Sequence, residues 1–241
     1  MELLQLENGA KLELDTQGAY ITSLQDASGN DILFPRQVVG EKLRGGIPVC
    51  APIFGPGDVV GLKQHGFARN LRWNVTAQSE NSLELSLQNP AEQDENISVE
   101  YTGCAMTLQI ELETSSLRLG LAVKNNGAQP FVCTPGFHPY FAASDATKAS
   151  ILNETEHSFN TDDLLATQFL DAKDSKLELQ IGGRNITLES EACKAYAVWS
   201  ESPNQYICVE PTVARNLAPD MLQHHLLPAG ENRQYNVVIT W

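Results

Sequence analysis

The chain has 241 residues, 42% of them hydrophobic and 19% charged, with a formal net charge of −14 at pH 7. Such an acidic balance repels nucleic acid and anionic membrane surfaces, which are bound by Lys and Arg that neutralise phosphates. The opening "MELLQLENGAKLELD" lacks the basic and apolar regions of an export signal, and no apolar run is long enough to span a bilayer. A soluble, cytoplasmic chain is expected.

Strict alternation of apolar and polar residues starts at "AKLELD" and returns at "NSLELSLQ". "AMTLQIELET" sets Met106, Leu108, Ile110 and Leu112 on one face, and "LRLGLAVKNNG" does the same with Leu117, Leu119, Leu121 and Val123. "SKLELQIGG", "NITLES" and "YNVVITW" repeat the pattern toward the end of the chain. Turn signals such as Glu7-Asn8-Gly9, Ser28-Gly29-Asn30 and Asn125-Asn126-Gly127 separate the runs. Only "DDLLATQFL" (162–170) and "DMLQHHLL" (220–227) have room for a helical turn or two. More than ten short strands with so little helix predict an all-β fold, a large antiparallel two-sheet sandwich. No repeat or Ser/Gly linker divides it, so one domain over 1–241 is expected.

The five cysteines, Cys50, Cys104, Cys133, Cys193 and Cys208, form no CxxC pair and are expected as free buried thiols, with no metal site. The N-x-S/T triplets at Asn74, Asn96, Asn153 and Asn185 read as strand and turn polarity. Charge is unevenly spread. Residues 36–72 hold Arg36, Lys42, Arg44, Lys63, Arg69 and Arg72 against Glu41 and Asp58, a net +4 that leaves −18 for the rest. Either this segment receives an anion, or its cations pair with acids elsewhere in the fold.

Three stretches can carry chemistry. "RGGIPVCAPIFGPGDVVGLKQHGFARN" (44–70) is stiffened by Pro48, Pro52 and Pro56, and its glycines free the backbone to approach a ligand. Arg44 and Arg69 bracket it with guanidinium forks suited to phosphate or carboxylate, and His65 can act as donor or acceptor near neutral pH. In "TPGFHPYF" (134–141), His138 sits among Phe137, Tyr140 and Phe141, a composition that suits a sugar or a satisfied core histidine. In "YICVEP", Glu210 ends an apolar strand, where a carboxylate needs a partner or a task. Arg215 is one structural partner for it. His157, His224 and His225 read as surface residues.

"RGGIPVCAPIFGP", "QHGFARNLRW", "FHPYF" and "YICVEP", in that order, resemble the aldose 1-epimerase (mutarotase) superfamily, and within it the hexose-6-phosphate mutarotases. The resemblance implies a large antiparallel β-sandwich, no cofactor, and interconversion of the α and β anomers of a sugar or sugar phosphate by a histidine and a glutamate. It implies His138 as general acid and Glu210 as general base, with Arg44, His65 and Arg69 as substrate-binding positions and the arginines facing a phosphate. Asp171, in "QFLDAKD", is similar to an acidic residue that holds sugar hydroxyls in that family. Two other functions fit some of the same residues: a carbohydrate-binding module without turnover, and a glycoside hydrolase pairing Glu210 with Asp171.

Overall fold

The computed structural model describes residues 1–173, 175–215 and 218–241. Two large antiparallel sheets dominate, as the alternation predicts. The first has nine strands in the order Thr155–Ser158, Ser150–Asn153, Lys176–Ile181, Arg184–Glu189, Asn232–Thr240, Ser116–Asn125, Cys104–Leu112, Ser82–Leu87 and Asn74–Gln78. The second has six, in the order Gln168–Asp171, Ala195–Trp199, Tyr206–Thr212, Gly136–Phe137 and Val49–Cys50, with Tyr140–Ala142 also paired to Tyr206–Thr212.

Register explains the burial. Leu119 faces Ile110 on one side and Val237 on the other, and Leu121 faces Leu108 and Tyr235. All six side chains enter one core that also takes Tyr196, Val198, Ile207 and Val209 from the six-stranded sheet. Truncating one of these leucines to alanine costs about 2–5 kcal/mol, depending on how far the site collapses.

Beyond the two-sheet expectation, three small sheets flank the sandwich. One is the antiparallel set Glu2–Gln5, Lys11–Asp15 and Tyr20–Gln25; the others pair Gln37–Val39 with Lys42–Arg44 and Phe131–Val132 with Leu226–Leu227. The two candidate helical segments hold a turn or two each, as the sequence suggests. Thr161–Leu165 is α-helical, started by a capping box of Asn160 and Asp163, and the chain then turns into the strand Gln168–Asp171. Pro219–His225 is a 3₁₀ helix that gives way to the strand Leu226–Leu227. Among the described residues, no helix is long and apolar enough to cross a membrane. All five cysteines are free and buried, as expected.

Candidate active site

The strand Tyr206–Thr212 is buried on both faces, so its alternation sorts residues between two environments. Ile207 and Val209 enter the main core, whereas Tyr206 and Cys208 pack against Phe34, Tyr140 and Trp199 on the opposite side. Glu210 follows on that second face. Its cross-strand neighbours there are fixed by register: Gly136 is opposite Thr212 and Tyr140 is opposite Cys208. The same spacing sets His138 opposite Glu210. Pro139 has no N–H and interrupts the ladder beside His138, yet the alignment holds and His138 Nε2 lies 3.4 Å from Glu210 Oε1. Both side chains are buried, at 4% and 2% exposure.

His65 completes the cluster. Bridges from Ala51 to Gly66 and from Ile53 to Thr134 lay its loop beside the histidine strand, and its ring centroid is 5.5 Å from that of His138. Its backbone is left-handed, with φ of 64°, an uncommon state for a residue with a Cβ. Gly55 N–H donates to its Nδ1 at 3.0 Å, so the neutral ring carries its proton on Nε2. Burial and the charge of Arg69 push its pKa down to about 3. His65 is therefore a fixed, neutral hydrogen-bond donor.

The glycines of "RGG" are required by close contacts within the protein. A Cβ on Gly45 would meet Pro35 O at 2.4 Å, and one on Gly46 would meet Ile21 O at 2.0 Å. They let protein backbones cross behind the site. The aromatic residues around His138 also divide. Phe137 and Phe141 point into the main core, and Tyr140 alone stacks on the imidazole, at 4.7 Å between centroids and 10° between planes.

Burial governs the electrostatics of the pair. It pushes the His138 pKa well below its ordinary value, and His65, Arg69 and Arg44 push the same way. It raises that of Glu210, against the opposing pull of the Trp199 N–H and Arg69. Desolvation opposes the arrangement in which an imidazolium sits beside a carboxylate, moving the two pKa values in opposite directions.

Of the six cations in residues 36–72, four are paired: Arg36 with Asp15, Lys63 with Asp94, and both Lys42 and Arg44 with Glu201. Arg44 makes a two-pronged contact, at 2.6 and 3.0 Å. Arg69 forms no ion pair among the described residues, and its Nη2 donates to Gln64 O at 3.0 Å. It lies close enough to depress the basicity of both His65 and His138. Asp171 is not in the buried cluster. Register places it on the same sheet face as Glu210 but two strands away, with Asp171 opposite Ala195 and Phe169 opposite Ala197, which is opposite Glu210. It is exposed and ion-paired with Arg215 at 2.5 Å. Arg215, the alternative partner considered for Glu210, is thus engaged at the rim. His224 is exposed, and His157 and His225 are partly so.

Sequence reasoning missed Trp199 and Glu201. Trp199 Nε1–H donates to Glu210 Oε1 at 2.5 Å, and its ring borders His138, Tyr140 and Tyr206. Its signal was available, since "AYAVW" is an apolar strand ending in a large amphipathic ring just before "YICVEP". Glu201 has no local signal: it reaches Arg44 across a separation of 157 residues.

The fold and its site define a mutarotase-like β-sandwich carrying a buried imidazole–carboxylate pair. Residues 2–207 match the family model described as "Aldose 1-epimerase", and the chain belongs to that family. Glu210 lies beyond the matched segment. The chain is 29% identical over 154 residues to a protein of Escherichia coli K12 named "Putative glucose-6-phosphate 1-epimerase", covering 58% of this chain and 48% of that one. It is 30% identical over 203 residues to a protein of the same name from Cenchrus ciliaris, covering 76% and 56%. The chain thus spans about half the length of the curated relatives it matches. Its fold resembles that of a galactose mutarotase related enzyme from Lactobacillus acidophilus, with a TM-score of 0.84, 18% identity, and coverage of 99% and 96%.

Proposed function

We propose that this protein interconverts the α and β anomers of a hexose, with a hexose 6-phosphate as its substrate class. One observation carries the reading: His138 and Glu210 are buried, opposed across two strands, and 3.4 Å apart. The hydroxyl and ring oxygens of a hemiacetal share one carbon, so an acid and a base in near contact can serve both at once.

With the pair's single proton on His138 and Glu210 ionised, Glu210 takes the proton of the anomeric hydroxyl while His138 gives its own to the ring oxygen. The bond from C1 to the ring oxygen breaks, and C1 becomes an aldehyde. After rotation about C1–C2, the pair works in swapped roles and closes the ring on the other carbonyl face. Neither half needs an external proton, because the single proton of the pair is handed back. The Trp199 N–H and the nearby Arg69 stabilise the carboxylate form of Glu210 when the pair takes its charged arrangement. Each positioned group contributes on the order of 100- to 10,000-fold.

His65 offers its Nε2–H to a sugar oxygen, and Asp171 at the rim is the candidate for a more distant hydroxyl. Arg69 is the guanidinium best placed for a phosphate, since an anion at Arg44 has to compete with Glu201. The curated relatives' name supports the phosphorylated substrate. A glycoside hydrolase pairing Glu210 with Asp171 is disfavoured: Asp171 is exposed and held by Arg215, and two strand spacings put the backbones about 10 Å or more apart. Exchange NMR of the anomeric protons of glucose, galactose and glucose 6-phosphate tests the reading. The greatest acceleration is expected for the phosphate, whereas equal acceleration of all three removes the phosphate preference.

A further inference from the structure

We propose that Cys208, Glu210 and His138 form a binding site for a borderline-soft divalent cation of the zinc type, and that this ion competes with the sugar. The thiol has no part in anomer exchange, yet it lies on the same face of the same strand as Glu210 and directly opposite Tyr140. One ligand atom from each of the three residues lies within 4.8 Å of the others. Some point among them then lies no farther than about 2.8 Å from any of the three atoms, against about 2.0–2.3 Å for ligands in zinc sites. Side-chain movements of roughly 0.5–0.8 Å in all three residues bring the ligand atoms to those distances.

The donor set is selective. Sulfur, imidazole and one carboxylate suit zinc or cobalt, whereas magnesium prefers an all-oxygen octahedron with several waters. Burial raises the thiol pKa well above its ordinary value, so the cysteine enters as S–H and must lose its proton to bind. Thiolate coordination releases that proton, so affinity rises with pH. Half-buried Trp199 and Arg69 mark the side on which the cluster comes nearest to solvent. The competition rests on the proposed reaction; the metal site does not.

The test titrates zinc, cobalt and magnesium into the full chain, following heat, released protons and the near-ultraviolet thiolate-to-cobalt absorption. One zinc per chain, a thiolate band with cobalt, and no magnesium binding at the same concentration are expected. Cys208→Ser is expected to weaken zinc roughly 100-fold or more and to abolish the band, whereas Cys104→Ser leaves both intact. A cobalt complex without the band overturns the proposal in the unaltered protein, even if the Cys208 variant fails to fold. Zinc affinity unchanged in Cys208→Ser, or lost only in a His224→Ala/His225→Ala variant, overturns it too. Zinc bound with the band present but with no effect on anomer exchange keeps the metal site and counts against the reaction assigned to these residues.

Discussion

His138 and Glu210 are cross-strand partners: the register that pairs Gly136 with Thr212 and Tyr140 with Cys208 brings their side chains to 3.4 Å on one face of the sheet. A one-residue slip of either strand would turn one of them into the main core. The packing of Ile207 and Val209 in that core opposes the slip, so the sandwich itself fixes the geometry of the pair.

Glu210→Gln and His138→Asn each remove one proton carrier while keeping a hydrogen-bonding side chain of similar shape. Each is expected to lower the rate of anomer exchange at least about 100-fold, with the circular dichroism spectrum unchanged. Retention of more than a tenth of the rate by either variant argues against its assigned role.

Trp199→Phe keeps an aromatic ring, smaller than the indole, and deletes the N–H that reaches Glu210 Oε1. That donor lowers the Glu210 pKa, so its loss raises the pKa further and moves the alkaline limb of the kcat profile to higher pH. A drop in kcat of about 10-fold with little change in KM is expected, since the contact acts through the base. An unmoved limb would mean that Trp199 only fills space.

The active form of the pair holds one proton. It gains a second only below the depressed His138 pKa and loses the first only above the raised Glu210 pKa. The one-proton form is therefore expected to span a broad plateau, with the rate falling on both sides and with apparent pKa values that belong to the pair. A single steep limb near 6.5 in the pH–rate profile contradicts a buried, coupled pair.

His65 gives a separate effect of pH on stability. Folded, it takes its proton only near pH 3; unfolded, it does so near 6.5, so the unfolded chain binds more protons between those values. Stability should fall as pH drops through that window, by up to about 1.4 kcal/mol per unit from this residue. His65→Asn, which tolerates the left-handed backbone, should flatten the decline seen in urea titrations at several pH values.

Arg69→Met removes a guanidinium without an acidic partner among the described residues. It is expected to raise KM for glucose 6-phosphate by 10-fold or more, on the order of one charge-assisted contact, and to change KM for glucose little. Equal changes for both sugars would show that Arg69 does not read the phosphate.

The fold was largely legible because alternation survives wherever one strand face is buried and the other is wet, as in Met106–Leu112 and Leu117–Val123. The turn of 162–170 from helix to strand was harder, since Phe169 and Leu170 fit either and only pairing with Ala195–Trp199 decides. His138 and Glu210 were legible as polar residues in apolar company. Their protonation was not, because it depends on desolvation and on Arg69, neither of which leaves a local pattern. Glu201 stayed hidden for a similar reason: its partner Arg44 is remote in sequence and meets it only after the strands pair.

The most direct test compares anomeric exchange of glucose 6-phosphate, followed by NMR, for the unaltered chain and the His138→Asn/Glu210→Gln variant. Exchange lines that broaden with the first and stay at the uncatalysed width with the second are expected. Equal broadening by both, with the fold intact, would contradict proton transfer by this pair.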